Sequence, residues 1–252
     1  MIKAVNIIGA GNVGTFIAQK LVNRVKIKNI FSYHVENAIM LASEVNAKAA
    51  DSIKGLTFDV DLNIVCVKDD SIILIAEQLP KDIPVVHTSG SVGIEVFSQF
   101  AAYGIIYPLQ SFSKEYEYKA NDVPFLVESN TEIFTQTIME FCQLHFSKSC
   151  VNASTADRAQ FHLAAVIANN FSTYLLAKSK EILEASNLDF KLLEPLMKQT
   201  IEKSFKIGPT AALTGPAKRK DVDVIKKQLA AIENEEVKKI YELISNQILK
   251  EF

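Results

Sequence analysis

Along the first half of the chain, short apolar runs rich in β-branched residues alternate with segments whose apolar positions recur every three or four residues. Residues 3–8, 29–33, 62–67, 85–87 and 104–106 read as strands, and 14–25 and 35–45 as helices. Strand–helix–strand alternation predicts parallel βαβ units and an open doubly wound sheet. Residues 124–128, 131–145 and 149–152 extend it by a further β–α–β unit. After about residue 154 no strand pattern remains. Residues 155–186 read as one long helix, and 189–205 and 222–248 also favour helix. The steps Gly208-Pro209 and Gly215-Pro216 bracket a loop, because proline cannot continue a helix. The predicted class is α/β: a doubly wound sheet over 1–153, then an all-α domain over 154–252.

Composition narrows the function classes. Among 252 residues, 48% are apolar, which suffices for a sizeable core. The 27 Lys and Arg against 29 Asp and Glu leave a formal charge of −2, which excludes a basic nucleic-acid binder and an acidic disordered tail. The opening apolar run is too short for a signal-peptide core, and no run approaches the ~20 residues that span a bilayer. Three cysteines without a CxxC pair suit a reducing compartment, so a cytoplasmic protein that meets no membrane is expected.

Glycine is scarce, and three of the nine fall in one window, GAGNVG at 9–14. The window follows a strand and opens a helix. There Gly9 permits a tight turn, Gly11 lets the backbone approach a pyrophosphate, and Gly14 lets helix and strand pack closely. Gly9, Ala10, Gly11, Asn12, Val13 and Gly14 are therefore the expected phosphate-binding turn of a dinucleotide site. At the end of the second strand, where an NAD site places a carboxylate, stand Ser32, Tyr33 and His34. No carboxylate occurs before Glu36, so NADP is favoured over NAD. Ligands of such sheets sit at the carboxyl ends of the strands. Val67, Lys68 and Asp69 are then expected near the nicotinamide, unless the aspartate only caps the next helix. Thr88 and Ser89 emerge at the same edge beside His87, which is either a general acid–base or a buried histidine bonded to backbone. Gln110 and Ser111 sit in the cleft or in a plain surface turn. On the long helix, His162, Ala165, Val166, Asn169 and Thr173 share one stripe. That stripe faces either a substrate or a partner's identical helix.

The segments IIGAGNVG (7–14), HTSGS (87–91), YPLQSFS (107–113), DRAQFHLAAVIANNF (157–171) and LTGPAKRKD (213–221) together carry a resemblance. The chain resembles the Rossmann-like family numbered 2520 among domains of unknown function, similar in layout to pyrroline-5-carboxylate reductases. The resemblance implies an NADP oxidoreductase with a helical C-terminal domain that makes a homodimer. Lys220 stands where that family usually has glycine. Related β-hydroxyacid dehydrogenases carry a catalytic lysine four residues before an asparagine on the corresponding helix. Counting back from Asn169 and Asn170 reaches Ala165 and Val166, neither of which can donate a proton. His162 and His87 are the available substitutes, with Asn169 orienting a small polar substrate. The rival expectation is a non-catalytic dinucleotide-binding sensor or regulatory dimer.

Overall fold

The computed structural model describes residues 1–118 and 123–252. Eight strands form one sheet: β1 (Ala4–Ile8), β2 (Lys26–Phe31), β3 (Lys48–Ala50), β4 (Leu62–Val65), β5 (Val85–His87), β6 (Tyr103–Pro108), β7 (Phe125–Ser129) and β8 (Cys150–Asn152). Their order is β3-β2-β1-β4-β5-β6-β7-β8. Pairing is parallel throughout except between β6 and β7, where Ile106 lies opposite Val127. The order reverses at β1, so the switch point of the sheet lies between β1 and β4.

Helices cover both faces, which is why the central strands are buried almost without alternation. On one face α1 (Asn12–Leu21), α2 (Val35–Glu44) and α4 (Glu132–His145) bury Phe16, Ile17, Leu41 and Ile138 against Val5, Ile7 and Val127. On the other, α3 (Asp69–Gln78) sets Ile72 and Ile75 against Ile8, Val65 and Phe97.

The expected strands are all present, with β2 placed a few residues early because the chain already turns at Ser32. The three-residue β3 went unpredicted. The region read as one helix over 155–186 consists of α5 (Thr155–Ala165), a π turn (Val166–Phe171) and α6 (Ser172–Ala185). Its start is fixed by a capping box in which Ser154 Oγ accepts from the Asp157 N–H and Asp157 Oδ2 accepts from the Ser154 N–H, both at 3.2 Å. Spacing of 3.6 residues holds through Ala165 and then gives way, so the predicted polar stripe ends there.

Contacts divide the chain into two units, Met1–Ala168 and Asn169–Phe252. The second unit holds α6, α7 (Glu194–Ile207), the short α8 (Pro209–Ala212), α9 (Val222–Ala231) and α10 (Glu235–Glu251). The pattern read as one helix over 222–248 is thus two. The first ends where Ile232 turns extended, and Asn234 starts the second, its Oδ1 accepting from the N–H groups of Glu236 and Val237 at 3.0 and 3.1 Å. Few side chains in this unit are buried, and Phe171, Leu192, Leu196, Phe205 and Leu243 are exposed. Lys220 adopts φ +58°, the left-handed conformation that glycine accepts most readily. Among the described residues, no helix is long and apolar enough to cross a membrane.

Candidate functional site

The glycine window forms a turn from β1 into α1. Gly9 has φ +120°, and its N–H donates to the Phe31 carbonyl at 2.7 Å. A Cβ on Gly9 would lie 2.4 Å from the Cys66 carbonyl oxygen, and one on Gly14 would lie 1.8 Å from that of Gly9. Neither position admits a side chain. Gly11 differs: it is the N-cap of α1 at φ −79°, and nothing lies within 4 Å of where its Cβ would be. The tight glycines shape the turn, whereas Gly11 leaves space over free first-turn amides, a cradle for an anion. Ala10 is buried and Val13 half-buried, and Asn12 donates from Nδ2 to the Phe112 carbonyl at 2.7 Å.

The strand ends gather the next group. After β2, Ser32 is buried with Oγ accepting from the His34 N–H at 3.2 Å, while Tyr33 and His34 are exposed. The first carboxylate, Glu36, lies in the first turn of α2. After β4, burial pushes the Cys66 thiol up to about 12, opposed by a hydrogen bond with Thr88. Val67 is half-buried, and Lys68 is the N-cap residue of α3. Asp69 lies in the first turn, where its Oδ2 accepts from Ser91 Oγ at 2.5 Å. After β5, Ser89 Oγ accepts from the Ser91 and Val92 N–H groups, both at 3.1 Å, and closes the loop.

His87 is fully buried. Its Nδ1 accepts from the Ser89 N–H at 3.2 Å, and Nε2 lies 3.4 Å from the Gly93 carbonyl oxygen. Burial lowers its pKa to about 4, partly offset by the Gly93 bond and reinforced by the Arg158 charge. The ring is therefore neutral at pH 7, with Nδ1 accepting and Nε2–H donating. Both nitrogens are occupied by backbone, so of the two sequence readings the geometry favours the backbone-bonded histidine.

His162 is half-buried on α5, with Nδ1 2.9 Å from the Tyr107 hydroxyl near the carboxyl end of β6. A Cβ on Gly90 would fall 2.8 Å from Tyr107 Cζ and 2.9 Å from that Nδ1, so the loop after β5 is pressed against the pair. Beneath lies Arg158, 1% exposed, whose guanidinium donates to Glu128 Oε2 at 2.7 Å, the Val92 carbonyl at 2.8 Å and Thr155 Oγ1 at 3.3 Å. Burial raises the Tyr107 phenol above its ordinary value, and the Arg158 charge opposes the rise. Tyr107, Gly90, Arg158 and Glu128 were not singled out as site residues, although YPLQSFS and DRAQF contain two of them. Gln110 and Ser111 are exposed in a surface turn, where the Ser111 N–H donates to Gln110 Oε1 at 2.9 Å. Asn169 lies in the second unit, exposed in the π turn, with Nδ2 donating to Asn170 Oδ1 at 3.2 Å. Among the described residues, no group of three or more His, Cys, Asp or Glu is placed to hold a metal ion.

Residues 123–248 match the family model described as Domain of unknown function (DUF2520). The chain belongs to this family. Among solved structures, it is similar over 98% of both chains to a candidate NADP oxidoreductase from Bacteroides fragilis, at 30% identity and TM-score 0.92. A reductive aminase from Aspergillus terreus, solved with NADPH and ethyl levulinate, matches at 14% identity and TM-score 0.73, over 100% of this chain and 95% of that one. A 1-pyrroline-5-carboxylate reductase from Streptococcus pyogenes matches at 14% identity and TM-score 0.63, over 98% and 97%. These last two likenesses are of fold. No curated protein matches the sequence.

Proposed function

We propose that the protein is an NADP-dependent oxidoreductase that reduces a C=O or C=N bond of a small polar substrate. The observation that carries this reading is the contrast within the glycine turn, where Gly9 and Gly14 exclude any side chain while Gly11 keeps open space over unpaired amides. A pyrophosphate fits that cradle, held by the backbone of residues 9–14. The end of β2 offers Ser32, Tyr33 and His34 to the adenosine ribose and no carboxylate, which favours the 2′-phosphate of NADP over the free hydroxyl of NAD. Support also comes from the likeness to the Bacteroides fragilis protein.

When bound, the nicotinamide supplies or accepts hydride. The chain must then place the acceptor and supply a proton. Val67, Lys68, Asp69, Thr88 and Ser89 stand at the carboxyl ends of β4 and β5, the edge expected beside the nicotinamide. His87 keeps the loop after β5 in place, and His162, half-buried and next to Tyr107, is the proton-handling residue. The exposed apolar side chains of the second unit favour a homodimer through its helices.

The test is a fluorescence titration with NADPH and NADH, followed by a screen of ketones, aldehydes and cyclic imines for loss of nicotinamide absorbance. Tighter binding of NADPH and turnover of at least one compound support the reading. Binding without turnover would favour a dinucleotide sensor, and binding of neither cofactor would overturn both.

A further inference from the structure

We propose that Tyr107 is the residue that hands the proton to the substrate, with His162 behind it as the group that restores it. The proposal rests on the reductase reading and names its proton path. Three contacts isolate the pair. Tyr107 Oη and His162 Nδ1 share a 2.9 Å hydrogen bond, the two rings meet edge to face with centroids 5.9 Å apart, and Gly90 lies where any side chain would collide with both. The other histidine at this edge is committed through both nitrogens to backbone. The phenol is thus a proton donor pressed against Gly90, next to Thr88 and Ser89 in the same loop.

With the hydrogen on Nδ1, His162 donates to the phenol oxygen, and the phenol O–H is free to point at a substrate. As the substrate carbon receives hydride and its C=X bond opens, X takes the Tyr107 proton. As the Nδ1 hydrogen of His162 moves to the phenolate, a solvent proton reaches Nε2, so the imidazole stays neutral throughout. The net change is C=X + NADPH + H⁺ → CH–XH + NADP⁺, so atoms and charge balance. Among the described residues, the charge that acts on the phenol is that of Arg158 on α5, which is itself paired with Glu128 on β7. Arg158 is the cation whose field favours the transient phenolate, and its contacts to Glu128 and the Val92 carbonyl fix it in place.

Two readouts test this, one without turnover. Protein labelled with ¹³C at tyrosine Cζ gives one signal per tyrosine, and the Tyr107 signal is assigned as the one missing from Tyr107→Phe. In the wild type that signal should shift with pH in a step that disappears in His162→Phe. Phenylalanine at 107 keeps the ring that packs on Gly90, so Tyr107→Phe should fold, bind NADPH within about twofold of wild type, and lose roughly 100-fold or more in kcat. A Tyr107 signal that ignores His162, or full turnover by Tyr107→Phe, overturns the pair as a proton path and leaves the reductase reading standing. Failure of the wild type to bind NADPH overturns the reductase reading instead.

Discussion

Glu128→Ala should destabilise the first unit by about 3 kcal/mol. Arg158 is 1% exposed, and among the described residues the carboxylate is its only anionic partner, at 2.7 Å. Removing the carboxylate leaves the buried guanidinium, among the described residues, with the Val92 carbonyl and the Thr155 hydroxyl alone. Breaking a buried pair in this way costs roughly 3–5 kcal/mol. The Glu128 side chain is itself 18% exposed, so water can partly replace it and the lower end applies. For a unit of this size that corresponds to a Tm loss of about 6–12 °C. Arg158→Met should cost less, because it leaves the better-hydrated partner behind. In Arg158→Met/Glu128→Ala no charge is left buried, so its loss should fall below the sum of the single losses by about 2 kcal/mol. Urea unfolding of all four proteins, followed by circular dichroism at pH 7, measures the cycle. A Glu128→Ala loss under about 1 kcal/mol, or strict additivity, would refute the reasoning.

His87 predicts an acid-side loss of stability. Burial holds its folded-state pKa at about 4 against 6.5, so unfolded chains take up a proton first as the pH falls. Stability should be full above about pH 6.5 and decline by about 1.4 kcal/mol per unit toward pH 4, roughly 3 kcal/mol in all. His87→Asn should remove most of that slope in urea midpoints at pH 7, 5.5 and 4.5, and an unchanged slope would contradict the assignment. Some slope should persist, because burial and the Arg24 charge also lower His145. Lys220 is left-handed at φ +58°, so Lys220→Gly should raise stability by about 1 kcal/mol in the same assay, whereas a loss would mean the lysine side chain holds the loop.

The strands were legible because β-branched runs bounded by turns have few alternative readings, and the glycine turn because backbone crowding at Gly9 and Gly14 demands that residue. β3 was not legible, since Lys48–Ala50 holds no β-branched residue and forms only by pairing with β2. The breaks in the long helices escaped for a different reason. Apolar periodicity runs through Val166–Phe171 and past Ala231, and what interrupts it is a π turn in one case and, in the other, an extended Ile232 before an asparagine cap. The proposed proton-handling group was half visible. His162 stood out by residue type, but Tyr107 meets it only after β6 and α5 come together, and Arg158 finds Glu128 only once β7 joins the sheet antiparallel to β6. Such long-range juxtapositions leave no local periodicity. Lys220 is the converse, a residue whose left-handed conformation, φ +58°, its side-chain type does not announce.

The open space at Gly11, proposed to take a dinucleotide phosphate, is probed directly by Gly11→Asp. The position has φ −79° and nothing within 4 Å of the added Cβ, and aspartate is a favourable helix N-cap, so the fold should be as stable as before or slightly more so. The same side chain would fill the cradle with a carboxylate where phosphate oxygens would sit. Titration of nicotinamide fluorescence should show NADPH binding to the wild type and an affinity at least roughly 100-fold weaker in Gly11→Asp, a loss of about 2.7 kcal/mol or more, at unchanged Tm. Equal NADPH affinity in the two proteins would contradict the account.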